Sequence, residues 1–166
     1  MAETPPAKLD TPTDIQSNKA ATVADALNAI LADSFALYLK TKNFHWHVSG
    51  PHFRDYHLMM DDQATQILGT TDAIAERVRK TGNTTLRSIG DIGRHQRIKD
   101  NDKDFVSASD MLAELREDNL ALVESLREAK DIVDEAKDNA TSGILDEWTD
   151  QAEERAWFLF EASRKG

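Results

Sequence analysis

Residues 44–62, FHWHVSGPHFRDYHLMMDD, join two helical patterns and hold four of the five histidines of the chain. Before this stretch, apolar residues recur on one helix face, which predicts a helix from about Thr22 to Val48. Ser-Gly-Pro at 49–51 breaks that helix, because proline suits a turn or the first position of a new helix. A second helix is predicted from about His52 to Thr81 and ends at Gly82. The residues that share this face of the first helix are Leu27, Leu31, Tyr38 and, at its end, His45.

The rest of the chain predicts two more long helices after a crossover. Residues 82–102 form an irregular crossover with a short helix around Leu86 to Arg94. Ser107 and Asp110 resemble a capping box, with Asp in place of the usual Glu or Gln, and start the third long helix. A turn is expected around residues 139–143, before the last helix. This connectivity predicts an all-α, ferritin-like four-helix bundle with a long crossover, carrying a short helix, between the second and third helices. The seam of the third helix, interrupted only by Asn119, consists of Ala108, Leu112, Leu115, Leu122, Leu126, Ala129 and Val133.

Length and composition narrow the class of protein. The 166 residues suit one domain with one sizeable core. Cysteine is absent, which excludes disulfides, thiolate metal sites and cysteine nucleophiles. The formal net charge of −10 favours attraction for cations and disfavours contact with phosphate backbones.

The N-terminal region differs from the rest in composition. Residues 1–21 hold three of the four prolines and few large apolar residues, which predicts a mobile tail before a ferritin-like domain at residues 22–166. This tail has no apolar stretch of signal-peptide type, and no apolar run approaches the length of a membrane helix. We therefore expect a cytoplasmic protein without a membrane partner.

A polar streak runs along the second predicted helix. It consists of two pairs, each with members four residues apart: His57 and Asp61, then Asp72 and Glu76. At about 100° per residue, all four lie within an arc of roughly 100°. The inner members, Asp61 and Asp72, are separated by roughly 16 Å along the axis. Because metal–ligand bonds are only about 2 Å long, one ion cannot be held by both pairs of the same helix.

A two-fold axis removes this difficulty. The two pairs lie symmetrically about the middle of the helix, at residues 66–67. An antiparallel copy of the helix centred there places His57 opposite the partner subunit's Glu76, and Asp61 opposite the partner subunit's Asp72. Two equivalent sites result, one at each end of an isologous contact.

The predicted site gains one further ligand from the first helix. The tight turn folds that helix back on the second and places His45 near the level of His57. Two imidazoles and three carboxylates, with no sulfur, suit iron or manganese and could also admit zinc. The site consists of His45, His57 and Asp61 from one chain with Asp72 and Glu76 from the other.

A less specific interpretation stays open at this point. Acidic and polar residues four apart are common on solvated helix faces, so the streak also fits a plain helical oligomer with an ion-pair interface. His47 and His52 are interpreted as turn or surface residues, His95 as structural, and Trp46 as a packing residue.

The sequence resembles a known family along residues 22–163. The motifs KNFHWHVSGPHFRDYHLMMDD, TDAIAERVRKTG and the closing AEERAWFLFEAS region are similar to those of the Dps mini-ferritins, the DNA-binding proteins from starved cells. The resemblance implies a homododecamer, a hollow shell of twelve subunits, with ferroxidase sites at two-fold interfaces that oxidise Fe(II) with hydrogen peroxide as the preferred oxidant. Carried over by position, the iron ligands are His45, His57, Asp61, Asp72 and Glu76. The shell would store ferric mineral.

The resemblance also implies pores and raises the question of DNA. Acidic pores at three-fold axes would lie near residues 135–150, with Asp138, Asp146 and Asp150 as candidates. Members that bind DNA strongly often use lysine-rich tails, whereas residues 1–21 here are mixed in charge and slightly acidic. We therefore expect weak or no DNA binding, with nucleoid packaging as the alternative function.

Overall fold

The computed structural model describes residues 7–166 as a bundle of four long helices, with no strand in that range. The first long helix packs mainly on the second, and the third mainly on the fourth. The short helix lies in the connection between the second and third long helices, so the predicted fold class is confirmed. A 3₁₀ turn at Ala7–Leu9 precedes the helices α1 (Ser17–His47), α2 (Phe53–Lys80), α3 (Ile89–His95), α4 (Ala108–Glu135) and α5 (Asn139–Ala162).

The hairpin between α1 and α2 forms as its sequence predicts. The helix α1 ends because Val48 turns to extended backbone while its N–H still bonds to Phe44 O at 2.8 Å. Gly50 follows at φ 118°, a conformation that favours glycine, and its carbonyl accepts the Phe53 N–H at 3.1 Å. The end of α1 and the start of α2 therefore lie side by side, which positions the histidines near this turn.

The start of α1 differs from the prediction. The helix begins at Ser17, not Thr22, so residues 17–21 are helical and do not belong to a tail. Leu9 and Thr11 are also held, because the Arg79 guanidinium donates to Leu9 O at 2.8 Å and lies 3.4 Å from Thr11 Oγ1. Residues 1–6 of the predicted mobile tail lie outside the described residues, and the domain boundary stays a prediction there.

The turn before α5 was predicted too late in the chain. It lies at residues 136–138, where Lys137 adopts φ 58°, and α5 begins at Asn139. Asp138 fixes this start because its carboxylate accepts the Thr141 N–H at 3.1 Å as the N-cap. At the start of α4, the Ser107 side chain caps the helix by accepting the Asp110 N–H at 3.2 Å, as predicted.

Buried ionic contacts fix the crossover on the bundle. Asp33 of α1 is 1% exposed and pairs with the Arg97 guanidinium at 2.6 Å. Lys40 of α1 donates to Lys99 O at 2.8 Å and also pairs with Asp118 of α4 at 2.7 Å. The chain after α3 is therefore tied to α1.

A polar network crosses the centre of the bundle and explains the break in the α4 seam. Asn119 is buried, and its Oδ1 accepts from Arg155 Nε at 2.7 Å. The same guanidinium donates to Gln66 Oε1 at 2.8 Å. Burial lowers the pKa of Arg155 to about 10, which leaves it charged at neutral pH. The centre of the bundle therefore contains a cation held by amide oxygens.

The helix α1 is more apolar than the sequence pattern indicated. Within residues 7–166 it is the helix that meets the length and composition of a membrane span, with a window of mean hydropathy 1.3. That window is 56% buried inside the bundle. Its apolar residues pack in the core, including Leu27, Leu31, Leu37 and Phe44.

Candidate metal centre

Two histidines form a reciprocal pair where α1 ends and α2 begins. Their rings stack with centroids 3.8 Å apart and 18° between the ring planes. His45 Nδ1 lies 2.7 Å from the backbone oxygen of His57, and His57 Nδ1 lies 2.8 Å from that of His45. A carbonyl only accepts, so each Nδ1 carries the proton and donates. In the neutral ring each Nε2 then keeps a free lone pair, the state a metal ligand requires.

Asp61 faces this histidine pair from one turn further along α2. Its Oδ1 lies 3.9 Å from His45 Nε2, and its side chain is 46% exposed. The pKa of Asp61 is lowered, first by a hydrogen bond from Lys42 and further by the charge of Lys42, while desolvation opposes the shift. The carboxylate is therefore ionised and able to bind a cation at neutral pH.

The other two predicted ligands lie elsewhere on α2. Asp72 and Glu76 are exposed. Glu76 makes a loose ion pair with Lys80 at 3.4 Å, in which both side chains are 59% exposed. Within residues 7–166 no group of three or more His, Cys, Asp or Glu side chains is arranged to hold a metal ion. The structure places His45, His57 and Asp61 near one another without closing them around an ion, and it leaves Asp72 and Glu76 apart, as the spacing along one helix requires.

The surface between the two pairs is open and partly apolar. Thr65 is exposed, Leu68 is 40% exposed, and an added Cβ at Gly69 would meet no atom within 4 Å. A helix surface with a glycine at its centre permits close approach of a second helix.

Exposed apolar side chains also lie on α1, on α3 and in the first turn of α2. Ile89 of α3 is 82% exposed, and Leu39, Trp46 and Phe53 are 58%, 56% and 45% exposed. An open cavity of about 380 Å³ adjoins Asp72 and is lined in part by Phe35, Leu86 and Ile89. The cavity beside Asp72 therefore has apolar side chains at its edge.

The remaining histidines lie outside the centre. His47 is exposed, and its Nδ1 lies 2.8 Å from Asn43 O. His52 occupies the N-cap position of α2, exposed beside the Tyr56 ring. His95 is exposed in the last turn of α3, with Nδ1 2.9 Å from Asp91 O. These positions agree with the interpretation of His47 and His52 as turn or surface residues.

One pore candidate is corrected. Asp138 is 5% exposed and pairs with Arg77 at 2.9 Å in addition to capping α5, so it cannot line a channel. Asp146 is exposed and pairs with Lys130 at 2.9 Å, and Asp150 is exposed. A pore role for Asp146 and Asp150 stays a prediction.

Sequence reasoning missed Lys42, whose Nζ lies 2.7 Å from Asp61 Oδ1. The signal was present, because Lys42 and His45 are three residues apart and share a face of α1. Its Nζ also lies 5.8 Å from the centroid of the Trp46 ring. A cation therefore already contacts one of the proposed ligands.

Comparisons with known proteins match this chain to ferritin-like proteins. A family model described as a ferritin-like domain matches residues 24–165. The chain is similar to the "DNA protection during starvation protein" of Brevibacillus brevis, with 34% identity over 82% of this chain and 91% of that protein. The protein of the same name from Agrobacterium fabrum is 34% identical over 90% of this chain and 92% of its own length. Among solved structures, a Dps protein from Bacillus brevis superposes with a TM-score of 0.86 at 31% identity, covering 90% of this chain and all (100%) of that one.

Proposed function

This chain belongs to the Dps family of ferritin-like proteins, and from that premise we propose that it is an iron-detoxifying ferroxidase. It oxidises Fe(II) with hydrogen peroxide at centres shared between two subunits, and it stores the ferric product in a hollow dodecameric shell. Each centre takes His45, His57 and Asp61 from one chain and Asp72 and Glu76 from the other. Iron is the substrate of the reaction, and the protein acts in the cytoplasm.

The division of the ligands along α2 is the observation that carries this proposal. Asp61 and Asp72 are too far apart on one helix to share an ion, yet both pairs lie on one open streak. An antiparallel second copy brings the partner subunit's Asp72 and the partner subunit's Glu76 to the histidine pair. The exposed Leu68 and open Gly69 at the middle of the streak support such a contact.

The residues fit iron chemistry. Imidazole nitrogens and carboxylate oxygens without thiolate suit Fe(II), and the negative carboxylates stabilise the higher charge of Fe(III). The Nδ1 hydrogen bonds orient His45 and His57 so that each Nε2 can bind. Two Fe(II) ions give one electron each to one hydrogen peroxide, which takes up two protons and becomes two waters. Because both electrons come from one centre, little hydroxyl radical is released.

Stopped-flow oxidation of Fe(II) tests the function directly. We expect fast oxidation with hydrogen peroxide and slower oxidation with dioxygen at equal oxidising equivalents, in material whose mass by light scattering fits a dodecamer. A plain helical oligomer would oxidise Fe(II) no faster than buffer, and that result would refute the ferroxidase proposal.

Binding to duplex DNA is expected to be weak or absent at about 150 mM salt. Non-specific affinity comes from neutralising phosphates with Lys and Arg, and the chain has a formal net charge of −10. A gel-shift titration at this salt concentration measures the affinity, with the same titration at low salt as the control. Tight binding at about 150 mM salt would favour nucleoid packaging instead.

A further inference from the structure

Lys42 contacts the proposed centre without belonging to its ligand set. Its Nζ lies 2.7 Å from Asp61 Oδ1, the same oxygen that faces His45 Nε2 across 3.9 Å. The Lys42 side chain is 19% exposed and the Asp61 side chain is 46% exposed. The two groups form a partly buried pair at the mouth of the centre.

We propose that Lys42 is a built-in competitor for metal at Asp61. Its ammonium occupies the carboxylate in the metal-free protein and is displaced when a divalent cation binds. This inference rests on the proposed function and adds to it a residue that sets the affinity of the centre.

The distances explain why the ammonium and the metal exclude each other. A metal bound by both His45 Nε2 and Asp61 Oδ1 would take two bonds of about 2 Å, and these two atoms are 3.9 Å apart. That metal would lie about 2 Å from the oxygen that Lys42 contacts. A dication and an ammonium sharing one oxygen repel each other strongly in a partly desolvated site, so Lys42 must withdraw.

Lys42 has room to withdraw without leaving its surroundings. The four-carbon stem is flexible, and the face of the Trp46 ring lies 5.8 Å from Nζ. Trp46 is 56% exposed, so the ammonium can contact the ring and water together. The exchange at Asp61 is therefore of one cation for another.

The chain contains a matched control for this pair. Lys80 contacts Glu76, another proposed ligand, but at 3.4 Å and with both side chains 59% exposed. Exposed pairs of this kind contribute little, because water and salt screen them. Lys80 should therefore compete with metal far less than Lys42.

Equilibrium binding of Co(II) alone to the intact metal-free oligomer tests the proposal. Co(II) gives a visible absorption that reports its ligands, and calorimetry gives the affinity. We expect Lys42→Met to bind Co(II) about tenfold or more tightly than the wild type, because a competing cation is removed while the aliphatic stem stays. Lys80→Met should change the affinity by less than about threefold, and Lys42→Arg should restore an affinity near that of the wild type.

The possible results distinguish the competitor role of Lys42 from the proposed function on which it rests. Wild-type Co(II) binding that does not depend on His45 and His57 would overturn the proposed centre itself. Binding that depends on both histidines but is unchanged or weaker in Lys42→Met would overturn only the competitor role. If Lys42→Met does not assemble, Lys42→Gln provides the same comparison with a neutral polar side chain.

Discussion

Replacing His45 and His57 together with alanine is expected to abolish the rapid peroxide-dependent oxidation of Fe(II) while the oligomer stays assembled. Both imidazoles keep Nε2 free for a metal ion, since each ring donates its Nδ1–H to the other's backbone. Changing only the groups that orient a metal ligand typically costs 10–100-fold, so losing two ligands should lower the rate by at least about 100-fold. Stopped-flow absorbance with hydrogen peroxide measures the loss.

The control is a second double substitution, His47→Ala with His52→Ala. These histidines come from the same stretch but are exposed and outside the centre. The control should keep a rate near that of the wild type. Because His45 is 8% exposed and its loss removes packing, light scattering and circular dichroism must show that the first variant is assembled. An assembled variant with unchanged kinetics would refute the assignment of these ligands.

Much of the fold was predictable from local signals. The Ser-Gly-Pro break and the helical patterns on either side locate the α1–α2 hairpin, and the structure places that turn within one residue of the prediction at His47 and at Phe53. The capping residues Ser107 and Asp110 likewise locate the start of α4. Such signals act between residues that are close in sequence, so they do not depend on the rest of the chain.

Features that depend on distant residues were not predictable. Asp138 resembled an exposed pore residue, but it caps α5 and pairs with Arg77 of α2, which buries it. Asn119 resembled a flaw in the α4 seam, but Arg155 of α5 makes it a hydrogen-bond partner. Both corrections come from contacts between helices, and the pattern within one helix carries no record of them.

In the candidate centre, too, some features were predictable from the sequence and others depend on contacts between helices. The spacing of His57, Asp61, Asp72 and Glu76 follows from helix geometry alone, and the structure has the first two beside His45. The hydrogen bonds that orient the two rings involve backbone oxygens, which no residue pattern reveals. The spacing places Lys42 on the same face of α1 as His45, but its contact with Asp61 forms only when α1 lies against α2.

Complementation between two inactive subunits is expected to restore oxidation. One subunit carries His45→Ala and His57→Ala, and the other carries Asp72→Asn and Glu76→Gln. Each alone should form an inactive oligomer, because every centre lacks part of its ligands. In a mixed pair, one of the two centres draws all its ligands from unaltered residues, while the other has both lesions.

Stopped-flow oxidation of the co-assembled oligomer is therefore the most direct test of the shared centre. Random pairing of equal amounts makes half of the pairs mixed, so we expect about a quarter of the wild-type rate. The two homo-oligomers, combined after assembly without exchange, serve as the control and should stay inactive. A centre contained in one subunit would be defective in every chain, so a co-assembled sample no faster than that control would contradict this account.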